Sequence, residues 1–411
     1  MISFLLYGFS IALLVIASIC IGRRLFFRWQ KVCLIGVSCL LLVSAVYHTV
    51  YYGKPVFKAA IDQEGFYYYR QICEADPFEN QNLTEKLLTL GNSIIHLHRN
   101  NLIYPLLYWT IKDIFGTKYF LEGFFLACIL NSILFLFSVY WLFKILNCFK
   151  VSKYFLWLCL FIFFQPFMIA RNALPLANSL TIFSVILFFY TEIFSKRVYL
   201  KILCCLLMFL AHKTLWLPSL VGVIYLFLKE KTFTKKPIKV LTILFFLTWI
   251  VMSNLSVSKN DINSAENCFY GNSYIPPAPV YKKILNYYFS PLNTNLNLFF
   301  YKRLEGSWLG WIYAIYINFI VLCMFIKICF LFRNYFHLPP QMKQIANLSG
   351  LFIISFFLEG ARLTNYLNGN RHATNSLIVW ILLMLVLESG KNIKSHEKHK
   401  SDLLLEGNRL K

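Results

Sequence analysis

Charged residues, and acidic residues above all, are scarce in this sequence. Only 14% of the 411 residues are charged, and 18 acidic residues stand against 40 lysines and arginines, while 58% of the residues are hydrophobic. The chain is filled instead by a series of apolar runs close to the ~20 residues that a helix needs to cross a bilayer. The composition therefore excludes an ordinary water-soluble domain and predicts an all-α membrane protein with many spans.

The net charge of +22 would suggest a nucleic-acid partner if this were a soluble domain. Here, however, the lysines and arginines lie largely in short connectors between apolar runs. The positive-inside rule, which concentrates cations in cytoplasmic loops, accounts for most of this excess. We therefore expect a membrane, and no nucleic acid, as the partner of the basic residues.

The apolar runs predict about eleven spans. They lie at residues 2–21, 32–52, 121–143, 154–173, 176–194, 199–211, 213–229, 238–254, 307–332, 344–361 and 373–388. With eleven spans and an outer N-terminus, all six basic connectors fall on the cytoplasmic side. The sequence thus predicts one multi-pass transmembrane domain over residues 1–390 in the plasma (inner) membrane, followed by a basic cytoplasmic tail over residues 391–411.

The apolar segment at residues 102–120 is interpreted as an interfacial helix between spans two and three. Lys112 and Asp113 would otherwise lie deep in lipid, where each costs about 2.5–3.5 kcal/mol, and every later basic connector would change sides. Its aromatic side chains suit a position at the level of the headgroups. These are Tyr104, Tyr108 and Trp109.

The outer segment at residues 53–120 is the candidate active site. Its first part, Gly53 to Asn101, holds six carboxylates, two histidines and several aromatics in an otherwise apolar protein. Such a protein has little reason to keep these groups in one loop unless the loop handles a polar substrate. A second outer loop is predicted at residues 255–306.

Several cations are predicted on the outer side, against the positive-inside rule. They are Arg70, Arg99, Arg171, Lys213, Arg303, Arg362 and Arg371. Cations retained against this bias suggest a bound anion such as a lipid phosphate. The alternative is that they pair with headgroups or extend their charged ends toward water.

The order of these features resembles the GT-C superfamily of membrane glycosyltransferases, which use polyprenyl-phosphate-linked sugars. Asp62 and the aromatic run after it match the first outer loop of that family. Tyr104-Pro105-Leu106-Leu107, followed by Phe115-Gly116, is similar to its jaw helix. The segments Ala211 to Thr214 and Asn370 to Asn375 resemble its middle and closing regions, although His372 stands where the family has a tyrosine.

The resemblance implies sugar transfer from a lipid-linked donor to a glycan or lipid acceptor, at a site facing the periplasm or exterior. Asp62 would be the catalytic base, a role worth about 10² to 10⁴ in rate, with Glu64 in reserve. Arginine and lysine would stabilise charge growing on the leaving phosphate. The residues expected to bind substrate are Tyr67, Arg70, Tyr104, Arg171, His212, Lys213, Arg362 and Arg371.

Two alternatives remain open. Exopolysaccharide and O-antigen polymerases also combine an outward Asp-x-x-x-Tyr segment, an arginine-rich turn and a histidine-containing span break, which Arg171 and His212 fit. A transporter or flippase is the alternative from another class, although the predicted spans hold few acids at mid-depth and the chain has no internal repeat.

Metal and disulfide sites have weak support in the sequence. No pair of cysteines has metal-ligand spacing, and His96 and His98 are either ligands of a divalent ion or ordinary polar residues. No cofactor is therefore assigned, and dependence on a divalent metal is left open. Cys73 and Cys268 fall in outer loops, where they form a disulfide or remain two thiols.

Overall fold

The computed structural model describes residues 2–50, 69, 73, 103–149, 151–164, 166–175, 178–212, 215–229, 243, 308–363 and 376–390. Every regular element among these residues is helical, which confirms the all-α prediction for this part of the chain. The α-helices are α1 Ile2–Arg24, α2 Arg28–Val50, α3 Ile103–Phe115, α4 Phe120–Leu146, α5 Lys153–Phe163, α6 Pro166–Ala173, α7 Asn178–Phe194, α8 Val198–Ala211, α9 Trp216–Lys229, α10 Trp308–Phe332, α11 Pro340–Leu363 and α12 Ser376–Gly390. Short 3-10 helices occupy Thr117–Tyr119 and Arg333–His337.

Three of the described helices are long and apolar enough to cross a membrane. They are α1 and α2, with 23 residues each, and α4, with 27 residues. Five further apolar helices are shorter, with 10 to 17 residues: α5, α7, α8, α9 and α12. The predicted span at residues 238–254 lies outside the described residues except for Ile243.

The apolar run at residues 154–173 forms two helices rather than one. α5 ends at Phe163 and α6 begins at Pro166. Proline has no N–H to donate to the carbonyl four residues earlier, and its ring clashes with that carbonyl, so the preceding helix ends before it. The same residue suits the first position of a new helix, where no partner is needed for the N–H.

Helix α4 lies at the centre of the first half of the structure. It packs against α1, α2, α3, α6 and α7, and α7 then packs against α8. Two phenylalanines of α4, Phe124 and Phe135, are completely buried. Because α3 and α6 both contact α4, this helix holds them against the rest of the described structure.

Helices α7, α8 and α9 form a second packing unit, which extends to α11. The rings of Phe188 and Phe352 stack with centroids 5.4 Å apart and an interplanar angle of 14°. Gly222 of α9 makes the close approach possible, because a Cβ at this position would lie 2.9 Å from the Cys205 sulfur and 3.3 Å from Phe188. A larger residue at position 222 would push α9 away from α7 and α8.

A buried ionic cluster joins the same three helices. The Glu192 carboxylate lies 2.9 Å from the Lys201 ammonium and also accepts hydrogen bonds from Lys229 and from the Tyr225 hydroxyl. Only 1% of the Glu192 side chain and 3% of the Lys201 side chain are exposed. Charges this deeply buried persist only when they are paired, so the cluster fixes the relative position of α7, α8 and α9.

Candidate functional site

Helix α3 turns its aromatic side chains toward the protein. Tyr104, Tyr108 and Trp109 are at most 2% exposed, whereas Asp113 is exposed and Ile114 is 72% exposed. The prediction of a helix here is confirmed, and with 13 residues it is about 20 Å long, too short to cross a bilayer. These aromatics face α4 and neighbouring segments, and their position at the level of the lipid headgroups stays a prediction.

Tyr69, from the segment predicted to be polar and outward, packs against α3 and α4. Its ring, 1% exposed, meets the ring of Tyr108 edge-on at 5.0 Å and lies 5.2 Å from Phe120 and 5.7 Å from Phe124. Burial, followed by the neighbouring Cys73 and Cys128 thiols, raises the pKa of the Tyr69 hydroxyl far above its ordinary value. The hydroxyl therefore remains protonated and available as a hydrogen-bond donor.

The close contact of Tyr69 with α4 depends on Gly123. A Cβ at position 123 would lie 2.7 Å from the Tyr69 hydroxyl oxygen and 3.1 Å from the Ile111 Cγ2 atom. Cys73 adds a second point of attachment, since its buried thiol donates to the Tyr108 carbonyl at 3.9 Å. Two residues of the polar segment are thus packed into the junction of α3 and α4.

Asn131 connects α3 to the chain that follows α6. The Tyr104 hydroxyl donates to the Asn131 side-chain oxygen, and the Asn131 side-chain amide donates to the Leu174 carbonyl. Asn131 is 1% exposed and Leu174 is fully buried. Buried polar groups need such partners, so the three residues form one connected polar contact across three segments of the chain.

The chain between α6 and α7 is held by a second buried polar contact. The Asn172 side-chain amide donates to the Met168 carbonyl at 2.6 Å, and the Ser179 hydroxyl lies 2.9 Å from both oxygens of Asn172. Asn172 and Ser179 are fully buried. Because Arg171 directly precedes Asn172, its backbone is fixed at this junction.

The predicted site residues are distributed as follows. Tyr104 is buried as described above, and His212 is 8% exposed at the end of α8, where its carbonyl accepts from the Leu215 N–H at 2.9 Å. Arg171 lies on α6 and Arg362 near the end of α11, with side chains outside the described set. Outside the described residues altogether are Asp62, Glu64, Tyr67, Arg70, Lys213 and Arg371, together with His96, His98 and Cys268.

The structure brings one pair of predicted positions into the same region. Tyr104 and the backbone of Arg171 are linked through Asn131 and Leu174, although 67 positions separate them in the sequence. The sequence analysis did not identify Asn131. Asn131 is nevertheless recognisable in the sequence, because it is the only amide side chain in the apolar run at residues 121–143. Polar groups inside a span are costly unless they have a role.

Metal-ligating groups do not cluster in the part of the chain that the structure describes. No set of three or more histidine, cysteine, aspartate or glutamate side chains is arranged there to hold a metal ion. Asp62, Glu64 and the two histidines of the outer segment are not among the residues compared.

Comparison with known proteins identifies no relative of this chain. No family model, no curated protein sequence and no solved structure matches it. The similarity to GT-C glycosyltransferases therefore rests on the residues quoted from the sequence.

Proposed function

We propose that this protein is an integral membrane glycosyltransferase that moves a sugar from a polyprenyl-phosphate-linked donor to a glycan or lipid acceptor on the outer face of the membrane. The observation that carries the proposal is the polar link from Tyr104 through Asn131 to Leu174. It joins α3, which follows the candidate base Asp62 in the sequence, to the junction beside Arg171, a candidate phosphate-binding residue. A base and a cation of this kind are what glycosyl transfer from a lipid phosphate requires.

The proposed topology has eleven spans, an outer N-terminus and a cytoplasmic C-terminus. It is supported by the agreement of α1, α2 and α4 with three predicted runs, and by the basic residues at the ends of α1 and α4 on the side assigned to the cytoplasm. In this orientation the start of α4 and the α6–α7 junction face outward. The proposed site is therefore on the periplasmic or external side of the plasma (inner) membrane.

The proposed reaction is a displacement at the anomeric carbon of the donor sugar. Asp62 accepts the proton of the acceptor hydroxyl as its oxygen forms the new bond to the anomeric carbon, while the bond to the lipid phosphate breaks. The phosphate leaves with the bonding electrons, and Arg171, Lys213, Arg362 and Arg371 are the candidates that stabilise its charge. Glu64 is the second candidate for the base.

The remaining predicted residues hold the sugar. Tyr67, Arg70 and His212 supply hydrogen-bonding groups to its hydroxyls, and aromatic rings of the outer segment stack on its apolar faces. Tyr104 is a positioning residue: its hydrogen bond to Asn131 fixes α3 relative to α4. The proposed partners are the lipid-linked donor, the acceptor and the membrane.

Replacement of Asp62 by Asn tests the proposal. We expect Asp62→Asn to reduce transfer by at least about 100-fold, because the amide cannot accept the proton. The measurement is profiling of lipid-linked and surface glycans in cells that lack the gene and are complemented with wild type, with Asp62→Asn or with Glu64→Gln, the variant of the second candidate base. Immunoblots of the membrane fraction verify that each variant is inserted.

The profile also distinguishes the alternatives. A glycan that lacks one sugar and is restored only by wild type and Glu64→Gln supports a monosaccharide transferase with Asp62 as the base. Single-repeat glycans without long chains would identify a repeat-unit polymerase. An unchanged profile in the deleted strain would overturn glycan transfer and favour the transporter.

A further inference from the structure

An open apolar groove lies near the C-terminal end of α4, which the proposed topology places on the cytoplasmic side, opposite the proposed site. The groove is shallow, and its volume is ≈ 680 Å³. It is lined by Phe27, Arg28, Trp29, Val32, Cys33 and Trp157. The groove thus combines the start of α2 with one face of α5 and contains a single charged side chain.

The aromatic walls of the groove are packed against the protein. The Trp29 ring lies 6.0 Å from that of Trp157, 5.4 Å from Phe143 and 6.5 Å from Phe27, the last in a stacked arrangement. Trp157 is 57% exposed, so it presents a large apolar surface outward. Tryptophan is common where membrane proteins meet the headgroup region.

A partly buried hydrogen bond joins the two sides of the groove. The Gln30 side-chain amide donates to the Asn147 side-chain oxygen at 2.8 Å, and Gln30 is fully buried. This bond joins the start of α2 to the connector between α4 and α5. The groove is therefore formed by the packing of the protein itself rather than by a mobile side chain.

The connectors around the groove carry only positive charge. They contain Arg23, Arg24, Arg28 and Lys31 in one connector and Lys144, Lys150 and Lys153 in the other, and the sequence has no acidic residue from 1 to 61 or from 123 to 191. Among the residues that the structure describes, the Glu388 carboxylate lies near Cys159 of α5 and 4.0 Å from Lys327. Cys159 is buried and belongs to the opposite face of α5 from Trp157, so Glu388 does not neutralise the groove.

We propose that this groove binds an anionic phospholipid of the inner leaflet. An acyl chain lies against Trp29 and Trp157, and the headgroup phosphate pairs with the guanidinium of Arg28. Arginine presents donors in a fork that matches two phosphate oxygens, and basic pockets between helices on the cytoplasmic side suit anionic headgroups. The site is separate from the outer site and does not depend on glycosyl transfer.

Lipid binding to the purified full-length protein tests this site. The probes are dioleoyl phosphatidylglycerol and dioleoyl phosphatidylcholine, which share their acyl chains and differ in net charge, and native mass spectrometry measures the bound fraction. We expect phosphatidylglycerol to bind at least about fivefold more tightly than phosphatidylcholine, the effect of one juxtamembrane cation. Arg28→Gln removes this preference.

The matched control for the charge is Arg197→Gln. Arg197 is an exposed cation in another inner connector, where it donates to the Tyr199 hydroxyl at 3.2 Å. We expect this variant to retain the preference for phosphatidylglycerol. Equal loss in Arg28→Gln and Arg197→Gln would show a general surface-charge effect and overturn the assigned site.

Two substitutions on α5 test whether the apolar lining of the groove contributes to lipid binding. Trp157→Ala is expected to weaken binding of both lipids, whereas Tyr154→Ala, at a position 89% exposed and outside the groove lining, is expected to leave it unchanged. The comparison of Trp157→Ala with Tyr154→Ala tests the proposed site even if Arg28→Gln fails to fold. Equal affinity of wild type for the two lipids, or displacement of phosphatidylglycerol by inorganic phosphate, would overturn the proposal.

Discussion

At the scale of single residues, Asn131 connects α3 to the chain that follows α6. It receives a hydrogen bond from Tyr104 and donates one to the Leu174 carbonyl. A hydrophobic residue of similar size at position 131 would leave the Leu174 carbonyl without this donor. The cost of leaving a buried polar group unpaired is about 1–3 kcal/mol, comparable with a large fraction of the stability of many domains.

The contact of Gly123 with Tyr69 gives a prediction at the same scale. Gly123→Ala is expected to lower the free energy of unfolding by about 1–3 kcal/mol, because the new methyl group would lie 2.7 Å from the Tyr69 hydroxyl oxygen. The measurement is thermal unfolding of the purified protein in detergent. Gly350→Ala is the matched control, since a Cβ there meets no atom within 4 Å.

A second variant isolates the contact responsible. Removing the hydroxyl by Tyr69→Phe is expected to make Gly123→Ala less destabilising than it is in the wild-type background. A double-mutant cycle measures this difference. Strict additivity of the two substitutions would mean that Tyr69 and Gly123 are not in contact.

At the scale of helices, the association of α7, α8 and α9 combines close packing with a buried charge cluster. Gly222 allows the helices to approach, and the Glu192 carboxylate lies between Lys201 and Lys229. Lys201 lies in the first turn of α8 and Lys229 ends α9. The ion pairs therefore fix the start of α8 and the end of α9 relative to α7, in addition to the apolar packing.

Removal of the shared carboxylate is expected to loosen these three helices. Glu192→Gln removes the carboxylate that lies 2.9 Å from the Lys201 ammonium, which is 3% exposed, and we expect a loss of about 3 kcal/mol or more in the free energy of unfolding. Lys229→Gln should cost less, because 28% of the Lys229 side chain is exposed to begin with. Unfolding in detergent compares the two variants, and equal losses would contradict the assigned geometry.

At the scale of the whole molecule, orientation in the membrane determines which groups meet substrate. The proposed topology places the connector after α4 in the cytoplasm and α3 on the outer side. Cys148 lies in that connector and is exposed, and Asp113 is exposed on α3. These two positions therefore report the two sides of the membrane.

Labelling with a membrane-impermeant maleimide tests the orientation. In a variant that retains only Cys148, we expect labelling in inverted vesicles and none in intact cells with permeable outer layers. Desolvation raises the pKa of the Cys148 thiol, and Lys144 opposes the shift, so labelling should accelerate as the pH rises and the thiolate forms. Asp113→Cys in a cysteine-free background should show the opposite sidedness, and labelling of Cys148 from outside would contradict the topology.

The sequence was sufficient for much of the helical architecture. Described helices coincide with most of the predicted apolar runs, because a segment in lipid must satisfy its backbone hydrogen bonds internally and therefore forms a helix. Pro166, which separates α5 from α6, lies inside the single span predicted at residues 154–173, and that prediction did not include a helix break there. The candidate site was harder to predict: substrate binding by Tyr104 stays a prediction, and the buried contact of Tyr104 with Asn131 was not foreseen because it joins distant parts of the sequence.

Composition and hydropathy by themselves determined the class of this protein and the approximate position of its helices, because both depend on local properties of the chain. Only the tertiary structure decided which face of α3 is buried, that Tyr69 packs on Gly123, and that Trp29 and Trp157 form one groove. These contacts join residues far apart in the sequence. Their specificity comes from shape and from pairing of buried polar groups, which a pattern of apolar and polar residues does not encode.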